Sequence, residues 1–292
     1  MESVETQVER EALSRGLRCM EVWGGNHAVD QAFALTGLEG WIWSRPHGDS
    51  SHGGDVFYVS LCGGGKIARF VLADVSGHGA PVARTAHKLR RMMHKHAGEL
   101  DPTRFAGALN KSFGRLTRGG WFATALICTY FAPTGHFLVC NLGHPRPLIR
   151  RASDDHWRFL DEEPAEEVPA LKNLPLGVMR SGEFVRFSVK LEPGDLVVML
   201  SDGLTEARDP SGSTLGEEGL LRLLQEIPER DPAFLAEELR RKVDAYRAGR
   251  PPGDDETLIV LEHTAVEVTP PTPSLGDRLR MLASRLGLQV DA

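Results

Sequence analysis

Apolar residues fall in short, dense runs along much of this chain. Val56 to Leu61 and Ile67 to Ala73 are almost continuously apolar and read as strands. The Gly63-Gly64-Gly65 tract between them is a turn by composition, so the two form a hairpin. On an antiparallel pair the start of one strand neighbours the finish of the next, which brings Asp55 and Asp74 to the same end. A helical period then takes over from Pro81 to Ala97. Val82, Ala86, Leu89 and Met93 share one face, and Arg84, Lys88, Arg91 and Lys95 fall largely on the other. Pro102 to Leu116 repeats the pattern with Phe105, Leu109 and Phe113, and Asp101 is placed to cap it. Both helices are expected to cover one side of a sheet.

Further strands are expected at Arg18 to Trp23, Gly40 to Ser44, Phe184 to Leu191, Asp195 to Leu200 and Leu258 to Leu261. Trp121 to Phe131, Gly135 to Asn141 and Arg146 to Arg151 read as a meander. Val29 to Leu35 is mixed in character and stays unassigned. Acidic, proline-punctuated sequence fills Asp154 to Asn173, with room for a strand at Trp157 to Leu160. Helical patterns mark Val4 to Gly16, Glu217 to Gln225 and Pro232 to Tyr246. The expected organisation is one domain over residues 1–263, a proline-rich linker over 264–273, and an amphipathic helix within 274–292. That helix carries Leu275, Leu279, Leu282 and Leu286 as a stripe, suited to docking on its own domain or to a homodimer or partner contact.

The formal net charge of -6 argues against general affinity for nucleic acid or an anionic membrane. Cys19, Cys62, Cys128 and Cys140 are widely spaced and form no Cys-x-x-Cys pair, so they read as small buried hydrophobes in a reducing cytoplasm. The start, Met1-Glu2-Ser3-Val4-Glu5, lacks the basic and apolar regions of a signal peptide. A cytoplasmic protein is the expectation.

Candidate chemistry lies in four acidic motifs beside predicted strand ends: Gly54-Asp55, Asp74-Val75, Asp202-Gly203 and Asp254-Asp255-Glu256-Thr257. Carboxylates gathered on one sheet edge repel one another unless a multivalent cation neutralises them. An oxygen-only donor set suits magnesium or manganese. Two such ions could activate a shared water and hold a phosphoryl oxygen, which makes phosphate-ester hydrolysis the natural chemistry. His78 and His144 each sit in a Gly-His turn beside that edge. Either could donate a proton to a leaving group, with structural polar contacts the alternative.

Those motifs have a wider context. Gly53-Gly54-Asp55, Ala73-Asp74-Val75-Ser76-Gly77-His78-Gly79, Phe122-Ala123-Thr124, Asn141-Leu142-Gly143-His144, Pro175-Leu176-Gly177, Pro193-Gly194-Asp195, the run from Ser201 to Arg208, and Asp254-Asp255-Glu256-Thr257 occur in order between Gly53 and Glu262. Together they closely resemble the sporulation-stage-II-protein-E branch of the bacterial protein phosphatase 2C enzymes. The resemblance implies an α+β fold, an αββα sandwich of two central antiparallel sheets flanked by helices, with two Mn2+ or Mg2+ ions at one sheet end. It implies a protein serine/threonine phosphatase in which a metal-bridging hydroxide attacks phosphorus, acting on phosphorylated anti-sigma antagonist proteins. A non-catalytic binding module of the same fold and a small-molecule phosphatase are the rivals. By position, Asp74 matches the bridging ligand, with the Val75 carbonyl on one metal, Asp55 holding that metal directly or through water, and Asp202 and Asp254 completing the other. Asp255 belongs behind them. Ser201 stands where the family usually has Thr.

Overall fold

A computed structural model describes residues 15–16, 22–48, 50–77, 79–117, 120–163, 173–179 and 183–265. Strands β1 (Arg15–Gly16), β2 (Val22–Gly25), β3 (Val29–Leu35) and β4 (Leu38–Arg45) precede a central hairpin of β5 (Asp55–Cys62) and β6 (Ile67–Val75). Helices α1 (Ala80–Lys95) and α2 (Pro102–Thr117) follow, then β7 (Ala123–Phe131), β8 (His136–Leu142), β9 (Leu148–Arg150) and β10 (Trp157–Phe159). The chain continues through β11 (Phe187–Lys190) and β12 (Leu196–Leu200) to a single turn α3 (Asp202–Thr205). Helices α4 (Gly216–Gln225) and α5 (Pro232–Arg247) then lead to β13 (Glu256–His263).

Among the described residues, one sheet runs β1-β3-β4-β13-β12-β9-β10 and the other β11-β8-β7-β6-β5-β2. Every pairing is antiparallel except that of β1 with β3. Alternation along the central strands supplies two buried faces per sheet. In β5 and β6, Phe57, Val59, Phe70 and Leu72 pack between the sheets with Ile42, Phe137, Val197 and Ile259. Val56, Tyr58, Val71 and Ala73 turn outward onto Val82, Leu89, Phe105 and Leu109 of α1 and α2. Opposite them, Val198, Leu258 and Val260 meet Leu220, Leu224, Leu235 and Leu239 of α4 and α5. The architecture is the αββα sandwich. Asp101 caps α2 as expected, its Oδ1 accepting from the Thr103 and Arg104 amides at 2.9 and 3.2 Å.

Three sequence expectations change. Val29–Leu35 is a strand, joined to β4 by the two-residue turn Thr36-Gly37, where Gly37 adopts φ +74°. The meander stops after β8. Pro145 and Pro147 cannot donate to a ladder, and β9 crosses to pair with β12 in the other sheet while β11 occupies the edge of β8. Arg15 and Gly16, expected at the end of a helix, pair as strand with Phe33 and Ala34. The rest of that helix, the linker over 264–273 beyond residue 265, the C-terminal helix and His78 lie outside the described residues. Among the described residues no helix is long and apolar enough to cross a membrane.

Candidate metal centre

Asp55 opens β5 and Asp74 is the penultimate residue of β6, and the two are register partners. Both share parity with the residues that pack between the sheets, so the strand period aims both carboxylates into the gap at the sandwich rim. The other sheet delivers its acids to the same place. Leu200 ends β12 opposite Leu258 near the start of β13, so Ser201-Asp202 and Asp254-Asp255 emerge side by side. Two hydroxyls from that sheet then cross to Asp55. Ser201 Oγ and Thr257 Oγ1 donate to its Oδ2 at 2.6 and 2.7 Å, fixing the plane of the carboxylate. Oδ1 of Asp55 is buried with no hydrogen-bond partner.

Asp255 works differently. Its carboxylate accepts from the His47 amide at 2.6 Å and from the Gly54 and Asp55 amides at 2.5 and 3.3 Å. That pins the Gly53–Asp55 loop of one sheet to the leading end of β13 in the other. A Cβ on Gly53 would stand 2.3 Å from Asp255 Oδ1, so only glycine lets the loop come this close. Asn26 holds the same loop from behind, its Nδ2 donating to the Gly53 and Ala83 carbonyls at 2.9 and 3.1 Å. Glu256, fully buried, accepts from Arg45 at 2.5 Å and from Arg247, while Arg247 also donates to the Gly203 carbonyl at 3.2 Å. These bonds fix both acidic loops with protein groups alone.

Electrostatics mark the cluster. Burial, and behind it the Asp74 charge, hold the Asp55 carboxyl well above the usual carboxylate range. Burial and then the charges of Asp202, Asp254, Asp255 and Glu206 push Asp74 up to about 8. Asp202 rises to about 6, from burial first and then from Asp254 and Glu206. Among the described residues no three His, Cys, Asp or Glu side chains are already closed into a metal cage. The acids meet as mutual repulsion, which a cation would relieve.

The residues fit divalent ions in three respects. Every donor is oxygen, the preference of hard cations. Oδ1 of Asp55 is a buried acceptor without a donor. Gly54 leaves a cradle: a Cβ there would lie 3.2 Å from both Asp74 Oδ1 and the Val75 carbonyl oxygen, so these two oxygens open onto one space. His144 stands apart from this set. Buried at 5 % exposure, its ring Nδ1 is 3.0 Å from Thr124 Oγ1, the hydroxyl of Asp74's register partner on β7, and burial drives its pKa down to about 3.

Sequence reasoning gave no role to Glu206, Thr257 or Asn26. Glu206 stood inside a quoted motif, one helical turn after Asp202, and that spacing was the available signal. Thr257 faces Asp55 only through sheet-to-sheet packing. Ser201, the departure from the usual Thr, keeps the hydroxyl that the contact with Asp55 requires.

The family model described as Stage II sporulation protein E (SpoIIE) matches residues 64–264. The chain belongs to that family. Among curated proteins it is 27 % identical over 157 residues to the phosphoserine phosphatase RsbU of Bacillus subtilis, covering 53 % of this chain and 44 % of RsbU. It thus spans less than half of that relative's length. Its fold is shared with the RsbU and RsbW domains of Rv1364c from Mycobacterium tuberculosis (TM-score 0.65, 22 % identity, 90 % of this chain and 70 % of that one). The protein phosphatase 2C domain with a regulatory fragment of SpoIIE from Bacillus subtilis is similar too (0.60, 20 %, 84 % and 64 %). So is the catalytic domain of the serine/threonine phosphatase PstP, solved with 2 manganese ions (0.52, 17 %, 78 % and 98 %). At these identities the structural likeness establishes a protein phosphatase 2C-like fold.

Proposed function

We propose that this SpoIIE-family chain is a metal-dependent protein serine/threonine phosphatase. Its substrate is the phosphoserine or phosphothreonine of a regulatory protein of the anti-sigma antagonist type, in the cytoplasm. The observation that carries the reading is the convergence of Asp55, Asp74, Asp202 and Asp254 from two sheets onto one rim, with Asp74 feeling the charge of its neighbours. The matched RsbU is named a phosphoserine phosphatase, which supports the same chemistry.

Asp74 would bridge two Mn2+ or Mg2+ ions, the Val75 carbonyl and Asp55 serving one and Asp202 and Asp254 the other. Such a pair supplies a water acidified toward neutrality and positive charge for the phosphoryl oxygens. The chain's own contribution is preorganisation. Ser201 and Thr257 hold the Asp55 carboxylate in one orientation, and Asp255 fixes the loop that carries it. His144, buried and neutral, supports Thr124 beside Asp74 and is a poor proton donor to a leaving group.

Release of inorganic phosphate from a phosphoserine protein, assayed with and without Mn2+, tests the reading. Turnover that requires the ion and is much faster than on metabolite esters supports it. Tight phosphoprotein binding without turnover, or preference for the small esters, overturns it in favour of a binding module or a small-molecule phosphatase.

A further inference from the structure

A cleft of about 390 Å3 opens beside the acidic rim, lined by Gly203, Glu206, Arg208, Arg247, Arg250 and Asp254 among others. Its arginines are not equivalent. Arg247 is buried and neutralised by Glu256 and by Asp244 at 2.8 Å, so it belongs to the framework. Arg208 and Arg250 are exposed and have no carboxylate partner among the described residues. Each donates to a backbone carbonyl of one turn, Arg208 to Gly212 at 3.3 Å and Arg250 to Pro210 at 2.7 Å. Asp209 braces that turn by accepting from Ser211 Oγ at 2.6 Å and the Ser213 amide at 2.9 Å. Two guanidinium groups are therefore anchored with their charge unspent, in a cleft whose lining also carries Glu206 and Asp254.

We infer that Arg208 and Arg250 form a docking rim for acidic side chains flanking the phosphorylated residue of the substrate protein. The inference rests on the phosphatase reading for the word substrate. A segment lying in the cleft would place its phosphoryl group beside Glu206 and Asp254, toward the carboxylates that would hold divalent ions. Its flanking residues would then meet the Arg208 and Arg250 guanidinium groups. Planar, forked guanidinium groups match carboxylates in two-point contact, and anchoring them beforehand reduces the ordering cost of binding. Arg208 and Arg250 are thus specificity residues for the peptide around the phosphate.

The test uses two fluorescent phosphoserine peptides of equal length, one flanked by Asp and Glu, the other by Ser and Gln. Binding is followed by anisotropy without divalent ions, and turnover is followed with Mn2+. The wild-type chain is expected to prefer the acidic peptide by about tenfold in Kd and in kcat/KM, one charged contact's worth. The doubly substituted Arg208→Gln, Arg250→Gln chain loses that preference, whereas Arg241→Gln, an exposed charge on α5 outside the cleft, keeps it. Raising salt on the wild type erodes the preference without any substitution. Equal affinity for the two peptides, or a preference that survives in the double variant, overturns the rim. Mn2+-dependent turnover indifferent to flanking charge removes the rim and leaves the phosphatase reading standing. Charge-selective binding with no turnover does the reverse.

Discussion

Asp55 and Asp74 stand directly opposite each other in the β5–β6 ladder, one carboxylate buried and the other half-buried, on the same face of one sheet. Like charges placed so are destabilising in a folded chain without a counter-ion. Asp74→Asn removes one of them. In metal-free buffer at neutral pH the variant is expected to be more stable than wild type by on the order of 2 kcal/mol. Thermal denaturation with EDTA measures it, and the added stability conferred by Mn2+ on wild type should vanish in the variant.

The same carboxyls dictate a pH dependence. With Asp74 raised to about 8 and Asp202 to about 6, the folded metal-free chain holds protons that the unfolded chain has released. Stability therefore falls as pH rises from about 4 through about 8, because the unfolded state binds fewer protons across that window. Divalent ions compete with those protons. Mn2+ affinity should rise over the same range, with proton release detectable in weakly buffered solution.

Asp255 is predicted to act through the backbone. Asp255→Ala leaves the His47, Gly54 and Asp55 amides without their acceptor and is expected to cost on the order of 3 kcal/mol in urea unfolding. Asp255→Asn keeps one acceptor oxygen and should recover part of that loss.

Strand and helix periodicity made the central hairpin, α1, α2, α4 and α5 legible, since each buries an unbroken apolar face. Asp55 and Asp74 could be placed at one end from the hairpin alone. What periodicity could not supply was the relation between the sheets. Leu148-Ile149-Arg150 has the same local character as a meander strand, yet after Pro145 and Pro147 it pairs with β12 while β11 takes the edge of β8. The hydroxyl contacts from Ser201 and Thr257 to Asp55 depend on that packing, spanning sequence separations that carry no local signal. Val29–Leu35 has no clear period because its outward face mixes polar and small residues and Gln31 interrupts its inward face, where Phe33 and Leu35 are buried and Val29 packs against the core only in part.

Gly54 keeps open the space shared by Asp74 Oδ1 and the Val75 carbonyl. Gly54→Ala puts a methyl group 3.2 Å from both and 2.8 Å from Val82 Cγ1. Mn2+ affinity is expected to fall about tenfold by calorimetric titration, as supporting contacts of a metal site do when disturbed. Metal-free stability should change by only about 1–2 kcal/mol.

Manganese stoichiometry measured alongside phosphate release tests the central claim most directly. Equilibrium dialysis of the wild-type chain should give two Mn2+ ions per chain, with phosphoserine turnover that tracks their binding. Asp74→Asn and Asp202→Asn should each lose bound metal and turnover together. Full phosphate release by either variant, or by wild type after exhaustive chelation, would contradict a metal centre built on these carboxylates.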